Sequence, residues 1–238
     1  MKPPEDRTSG SDSARRRRCG VALVILVAAV SLGTQPARSG DAVQTVPPSA
    51  IAGHVRPLDL VKSSVSQVLA AVQSQTAAGG ESARHRAAIR RVADGLFDFN
   101  EMARLTLSRH WSTQSPRNQE EFVRLFTALL ERCYLSTIED YAGAGITFLG
   151  ESIDGSYAQV RSRITTDRRV EISIDYRLID RGDRWEVYDV VLDSVSLVSN
   201  YRSQFNSIIR TSSFGELLTR LRNKQIEAHV IPRVGRGS

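Results

Sequence analysis

Residues 146–192 read ITFLGESIDGSYAQVRSRITTDRRVEISIDYRLIDRGDRWEVYDVVL, and this stretch decides the fold. Ala158, Val160, Ser162 and Ile164 alternate with Gln159, Arg161, Arg163 and Thr165. Further on, Ile172, Ile174, Tyr176 and Leu178 alternate with Glu171, Ser173, Asp175 and Arg177. A period of two puts one set on each face of a strand, so one face is apolar and the other wet. Strands are expected over Ile146–Ile153, Tyr157–Thr165, Val170–Ile179 and Trp185–Leu192. The separators Asp154-Gly155, Thr166-Asp167-Arg168 and Asp180–Asp183 are short enough for antiparallel hairpins, and Asp-Gly is a strong hairpin signal. The expectation is a four-stranded meander with one face to cover.

Helical spacing on both sides supplies the cover. Upstream, Pro57 suits a first helical turn, and Val61, Val65, Val68, Leu69 and Val72 recur at steps of three and four up to Ala77-Ala78-Gly79-Gly80. A basic stretch over 82–94 is expected on the surface, because its face of Ala83, Ala87, Arg90 and Asp94 has little to bury. A third stretch runs from Leu96 to Arg109. Ser115-Pro116 then opens the clearest element, with Phe122, Leu125, Phe126, Leu129, Leu130, Cys133, Tyr134, Ile138 and Tyr141 on one face, ended by Gly143 and Gly145. Downstream, Val198, Tyr201, Phe205, Ile208 and Ile209 form another apolar stripe, with Ser199 or Asn200 as its cap. Ser213 and Glu216 set a capping box for a last helix carrying Leu217, Leu218 and Leu221. The fold class is α+β: a twisted four-stranded antiparallel sheet packed on one face by several helices. Such a sheet encloses either a filled core or an apolar cavity, and periodicity does not separate them, since both need the same inward residues.

The chain has 238 residues with 32 Lys+Arg against 26 Asp+Glu, a net charge of +6. Residues 1–39 hold seven of the basic and three of the acidic residues, leaving 25 against 23 for the remainder. The basicity is largely a leader property, and nucleic acid is not an expected partner. Arg15–Arg18 precede VALVILVAAV at 21–30, the layout of a secretory signal, with cleavage expected before Gly40 after Ala37-Arg38-Ser39. The expected organisation is a signal peptide over 1–39, a linker over 40–57, a domain over 58–224 and a flexible tail over 225–238. Cys19 leaves with the leader, and Cys133 then has no disulfide partner in the chain and reads as a small buried hydrophobe.

Catalytic signatures are sparse. His54, His85, His110 and His229 are scattered, with no ligand pair at metal-binding spacing. There is no phosphate-binding glycine loop and no nucleophile elbow. His110, Asp175 and Asp189 could in principle face an apolar cavity, as in enzymes of cone-shaped α+β folds. Alternation instead expects Asp175 and Asp189 to face solvent and His110 to cap its helix.

Two motifs carry a family resemblance: Phe97-Asp98-Phe99 through Trp111 with its Ser-Pro helix start, and Trp185…Tyr188-Asp189-Val190-Val191 running into Val195-Ser196-Leu197-Val198 and Asn200-Tyr201-Arg202-Ser203-Gln204-Phe205. Over about 58–224 the chain resembles the MlaC/toluene-tolerance family, periplasmic phospholipid-binding components of the Mla lipid-transport pathway. Ser108 stands where that family usually has glycine. The resemblance implies an NTF2-like cone with an apolar pocket for acyl chains, without catalysis or cofactor. It implies a glycerophospholipid ligand, or a hopanoid in a related branch. As partners it implies an inner-membrane ABC transporter with MCE-domain subunits and an outer-membrane lipoprotein–porin complex. The positions placed to line the pocket are Phe126, Leu130, Tyr134 and Ile138 from the long helix, Val160, Ile174, Tyr176 and Val190 from the sheet, and Val195, Leu197, Phe205 and Ile209 beyond it.

Overall fold

A computed structural model describes residues 55–78, 82–140, 145–165 and 170–226. The expected leader, most of the linker, all of the tail but Gln225 and Ile226, Gly79-Gly80, Gly143 and the Thr166-Asp167-Arg168 turn lie outside the described residues. The helices are α1 (Pro57–Ala78), α2 (Ser82–Leu96), α3 (Phe99–Leu107), α4 (Pro116–Asp140), α5 (Leu197–Thr211) and α6 (Phe214–Arg222). The strands are β1 (Gly145–Asp154), β2 (Tyr157–Thr165), β3 (Glu171–Asp180), β4 (Trp185–Leu192) and β5 (Val195–Ser196).

The sheet has five antiparallel strands in sequence order, one more than alternation suggested. The extra strand is short: Leu192 pairs with Val195 and Val191 with Ser196 across a two-residue turn. Asp193 (φ 43) and Ser194 (φ 70) make that turn without glycine. Both are left-handed, a conformation most side chains avoid. The Asp193 carboxylate offsets the strain by accepting hydrogen bonds from the Ser173 backbone N–H (2.9 Å) and hydroxyl (3.2 Å). The Asp154-Gly155 hairpin forms as read, with Gly155 at φ 55.

The inner face of the meander is filled. Val160, Ile164, Ile174 and Leu178 are fully buried, and Tyr176 nearly so. Val160 sits opposite Tyr176, and Tyr176 opposite Val190, so this face is one continuous apolar surface. Burial pushes the Tyr176 phenol well above its ordinary value. Phe126 of α4 meets Tyr201 and Phe205 of α5 edge to face, at ring separations of 5.5 and 5.9 Å. Phe122 meets Phe205 the same way. Each such pair adds about 0.5–1.5 kcal/mol beyond its buried area, which locks α4 to α5.

Polar groups join the layers at the edges. Glu151 of β1 accepts from the Leu58 backbone N–H at 2.7 Å and pairs with Arg56, so a strand carboxylate holds the open first turn of α1. Ser115 caps α4 as expected, accepting from the Asn118 N–H at 3.3 Å. Ser213 caps α6 through the Glu216 N–H at 3.0 Å, while the Glu216 carboxylate turns to Arg220 instead of completing the box. The cap of α5 is Ser196, not Ser199 or Asn200, because β5 delivers the chain into the helix three residues early.

Candidate functional site

The Phe97-Asp98-Phe99 motif is where helices meet sheet. The Asp98 N–H donates to the Val187 carbonyl at 2.9 Å, and Phe97 forms a parallel bridge with Val187. The Asp98 carboxylate caps α3 through the Glu101 N–H at 2.8 Å and receives the Arg181 Nε at 2.8 Å. Arg181 lies on the β3–β4 hairpin, so one buried carboxylate ties the start of α3 to that hairpin. The break at 97–98 also separates α2 from α3, slightly later than the sequence reading, which ended one stretch at 94 and began the next at Leu96.

Behind this junction lies a cavity lined almost entirely by carbon. Val68 comes from α1, Ile89, Val92, Ala93 and Leu96 from α2, and Phe97, Phe99 and Met102 from the motif and α3. Leu130 and Tyr134 come from α4, Val190 from β4 and Leu197 from the start of α5. Room for water-sized molecules is about 80 Å³, inside a depression of about 750 Å³ that includes its open mouth. Ser64 of α1, Arg90 of α2 and Glu131 of α4 also line the cavity, and the last two, 55% and 23% exposed, form an ion pair at 2.5 Å.

Of the twelve positions named from sequence, Leu130, Tyr134, Val190 and Leu197 line the cavity. Phe126, Val160, Ile174, Tyr176 and Phe205 are buried in the packed core beyond it. Ile209 is half-buried, and Val195 is 43% exposed on the two-residue strand. The Ile138 side chain lies outside the described residues. The cavity therefore sits at the helix–sheet junction and not under the centre of the meander. Sequence reasoning gave α2 as a helix but not as a cavity wall. It read the face of Ala83 and Arg90 and called the helix superficial, whereas Ile89, Val92, Ala93 and Leu96, at steps of three and four, turn inward. Ile89 is 4% and Leu96 2% exposed.

The polar groups that the sequence singled out are held in hydrogen bonds. Asp189 was expected in solvent but is 2% exposed. Tyr188 is an extra residue where the β3–β4 register shifts, and Asp189 then faces Arg177 under the incoming β5–α5 segment. Its carboxylate accepts from the Val198 N–H (3.0 Å), the Ser196 hydroxyl (2.7 Å) and Arg177 (3.2 Å). It therefore holds the first turn of α5, which carries Leu197 into the cavity wall. Asp175 accepts from the Gln159 amide at 2.9 Å on the outer face. His110 lies in a 3₁₀ turn after α3, with Nε2 3.1 Å from Asn206 Oδ1 on α5, away from both aspartates. The Tyr134 and Tyr201 hydroxyls meet at 3.5 Å, and burial raises the Tyr201 phenol far above its ordinary value. Among the described residues no three His, Cys, Asp or Glu side chains gather as a metal site would require. Among them, too, no helix is long and apolar enough to cross a membrane.

Fold and site define an α+β domain with an apolar cavity at the helix–sheet junction. The chain belongs to the MlaC protein family, whose model matches residues 62–223. The toluene tolerance protein ttg2D of Pseudomonas putida is 22% identical over 120 residues, 50% of this chain and 56% of that protein. The chain thus spans about half the length of that curated relative. A solved phospholipid-binding protein from Ralstonia solanacearum, in complex with a phospholipid, superposes with a TM-score of 0.63 at 22% identity. That match covers 71% of this chain and 97% of the other, and shows a shared fold.

Proposed function

We propose that this protein is a periplasmic phospholipid carrier that takes acyl chains into the cavity between α1–α4 and β4, and that it performs no covalent chemistry. One observation carries the reading: a cavity lined almost wholly by apolar side chains, with Ser64 and the Arg90–Glu131 pair as the exceptions and that pair reaching solvent. Membership of the MlaC family and the lipid-bound Ralstonia structure support it. In this reading residues 1–39 are a cleaved signal peptide, 40–57 a linker, 58–224 the lipid-binding domain and 225–238 a tail. The carrier shuttles lipid between an outer-membrane lipoprotein–porin complex and an inner-membrane ABC transporter with MCE-domain subunits.

The energetics favour a carrier. Each methylene removed from water contributes about 0.8 kcal/mol, so a free acyl chain faces a barrier on the order of 10 kcal/mol on leaving a bilayer. A dry cavity lowers that barrier. At about 80 Å³ the present cavity is about half the size of an apolar cavity known to hold benzene. An acyl chain therefore needs α2 to move away from α4. Organic extraction of protein freshly purified from the periplasm, read by mass spectrometry, tests the proposal. Near-stoichiometric glycerophospholipid is expected. Hopanoid in its place would move the protein to the hopanoid-associated branch, and an extract with no lipid would refute the carrier function.

A further inference from the structure

The mouth of the cavity has one charged pair, and its geometry suggests a role beyond holding the fold. Arg90 and Glu131 face each other from α2 and α4, with side chains 55% and 23% exposed. α2 packs on α1 and touches β4, whereas this ion pair bridges it to α4. A side-chain contact that reaches solvent thus spans the seam between α2 and α4, and we read that seam as the opening of the cavity. α2 also has four arginines (Arg84, Arg86, Arg90, Arg91) against one acid, Asp94. Its inward face is apolar and its outward face cationic, the pattern of a helix that meets anionic lipid at an interface.

We propose that Arg90 binds the phosphodiester of the lipid headgroup and that the Glu131 carboxylate occupies the guanidinium in the empty protein. This rests on the carrier reading and names the class of lipid the site selects. Carboxylate and phosphodiester present similar paired oxygens to a guanidinium, and a bidentate pair suits both. When a chain enters between Ile89 and Leu130, α2 separates from α4 and the ion pair is lost. A phosphate at the glycerol end of that chain then replaces the lost partner, so Arg90 is never left without an anion. A neutral lipid offers no such exchange and loses the ion pair uncompensated. The mouth therefore discriminates for phosphodiester lipids and against diacylglycerol or hopanoid, although the cavity wall accepts any hydrocarbon.

Binding of fluorescent phosphatidylglycerol and fluorescent diacylglycerol with identical chains, measured on the delipidated protein, tests the assignment. The wild type should prefer the phospholipid by about tenfold, the scale of a charged hydrogen bond. Arg90→Gln should bring the ratio close to one by lowering the phosphatidylglycerol affinity, and Arg90→Lys should retain part of the preference. Glu131→Gln should tighten phosphatidylglycerol binding by about two- to fivefold, because a partly exposed competing ion pair is removed. A preference that survives in Arg90→Gln, or weaker phospholipid binding in Glu131→Gln, would overturn the assignment. Equal wild-type binding of both lipids would overturn it while leaving the carrier function standing. A wild type that binds neither lipid would refute the carrier function itself.

Discussion

Ala93→Leu should make the protein more stable and cut its lipid cargo. Ala93 is half-buried on α2 with its side chain on the cavity wall. The substitution adds three carbons to a void of about 80 Å³. Cavities in protein cores cost about 24 cal/mol per Å³, so filling this one recovers about 2 kcal/mol at most. Part of that is lost to fitting strain and to ordering the new side chain, so a net gain of about 1 kcal/mol is expected. The same carbons occupy the space that the first methylenes of an acyl chain need, so bound lipid should fall several-fold. Urea denaturation reads the stability, and mass spectrometry of the organic extract reads the cargo. A stabilised variant that still carries wild-type lipid would refute the reasoning, because the chain would then be lodged elsewhere. A destabilised variant would show that the void is not available to a leucine side chain.

Asp98→Ala removes the cap of α3 and one of the three carboxylates around Arg181, and should cost about 2 kcal/mol in denaturant unfolding; a loss under about 0.5 kcal/mol would mean that this carboxylate does not hold the junction. Ser108 sits at φ 49 and ψ −122, a backbone region that favours glycine. Ser108→Gly should therefore stabilise by about 1 kcal/mol, and no gain would show the strain is absorbed elsewhere. The Tyr176 and Tyr201 phenols are raised above 10.0 chiefly by burial. Above about pH 10 the unfolded chain releases these protons and the folded chain keeps them, so their contribution to stability is intact below that pH and declines above it. Tyrosinate absorbance and near-ultraviolet circular dichroism, followed together through alkaline titration, check this. All six tyrosines of the chain ionising while the folded signal persists would contradict it.

The sheet and the long helix were legible because each obeys one period over many residues. Alternation through Ile172–Leu178 and the three-four spacing through Phe122–Tyr134 left few alternatives, and Asp154-Gly155 marked its own turn. What escaped depended on interactions between segments. The β4–β5 turn carries Asp193-Ser194, and its left-handed backbone is held by a bond to Ser173, 20 residues earlier. Asp189 is buried because a register shift at Tyr188 and the returning β5–α5 segment cover a position that alternation assigns to solvent. The cavity was placed under the sheet because inward residues look alike in sequence whether they touch one another or a void. Four of the twelve nominated positions line it, and the α2 wall was hidden by the arginines that share its helix.

The most direct test is a crystal structure of the protein with its native lipid. An acyl chain should run from between Arg90 and Glu131 past Leu130, Val92 and Ala93 toward Val190, with α2 displaced from α4 and the phosphate at the Arg90 guanidinium. A chain lying instead among Val160, Ile174 and Tyr176, with α2 and α4 still bridged, would contradict the account.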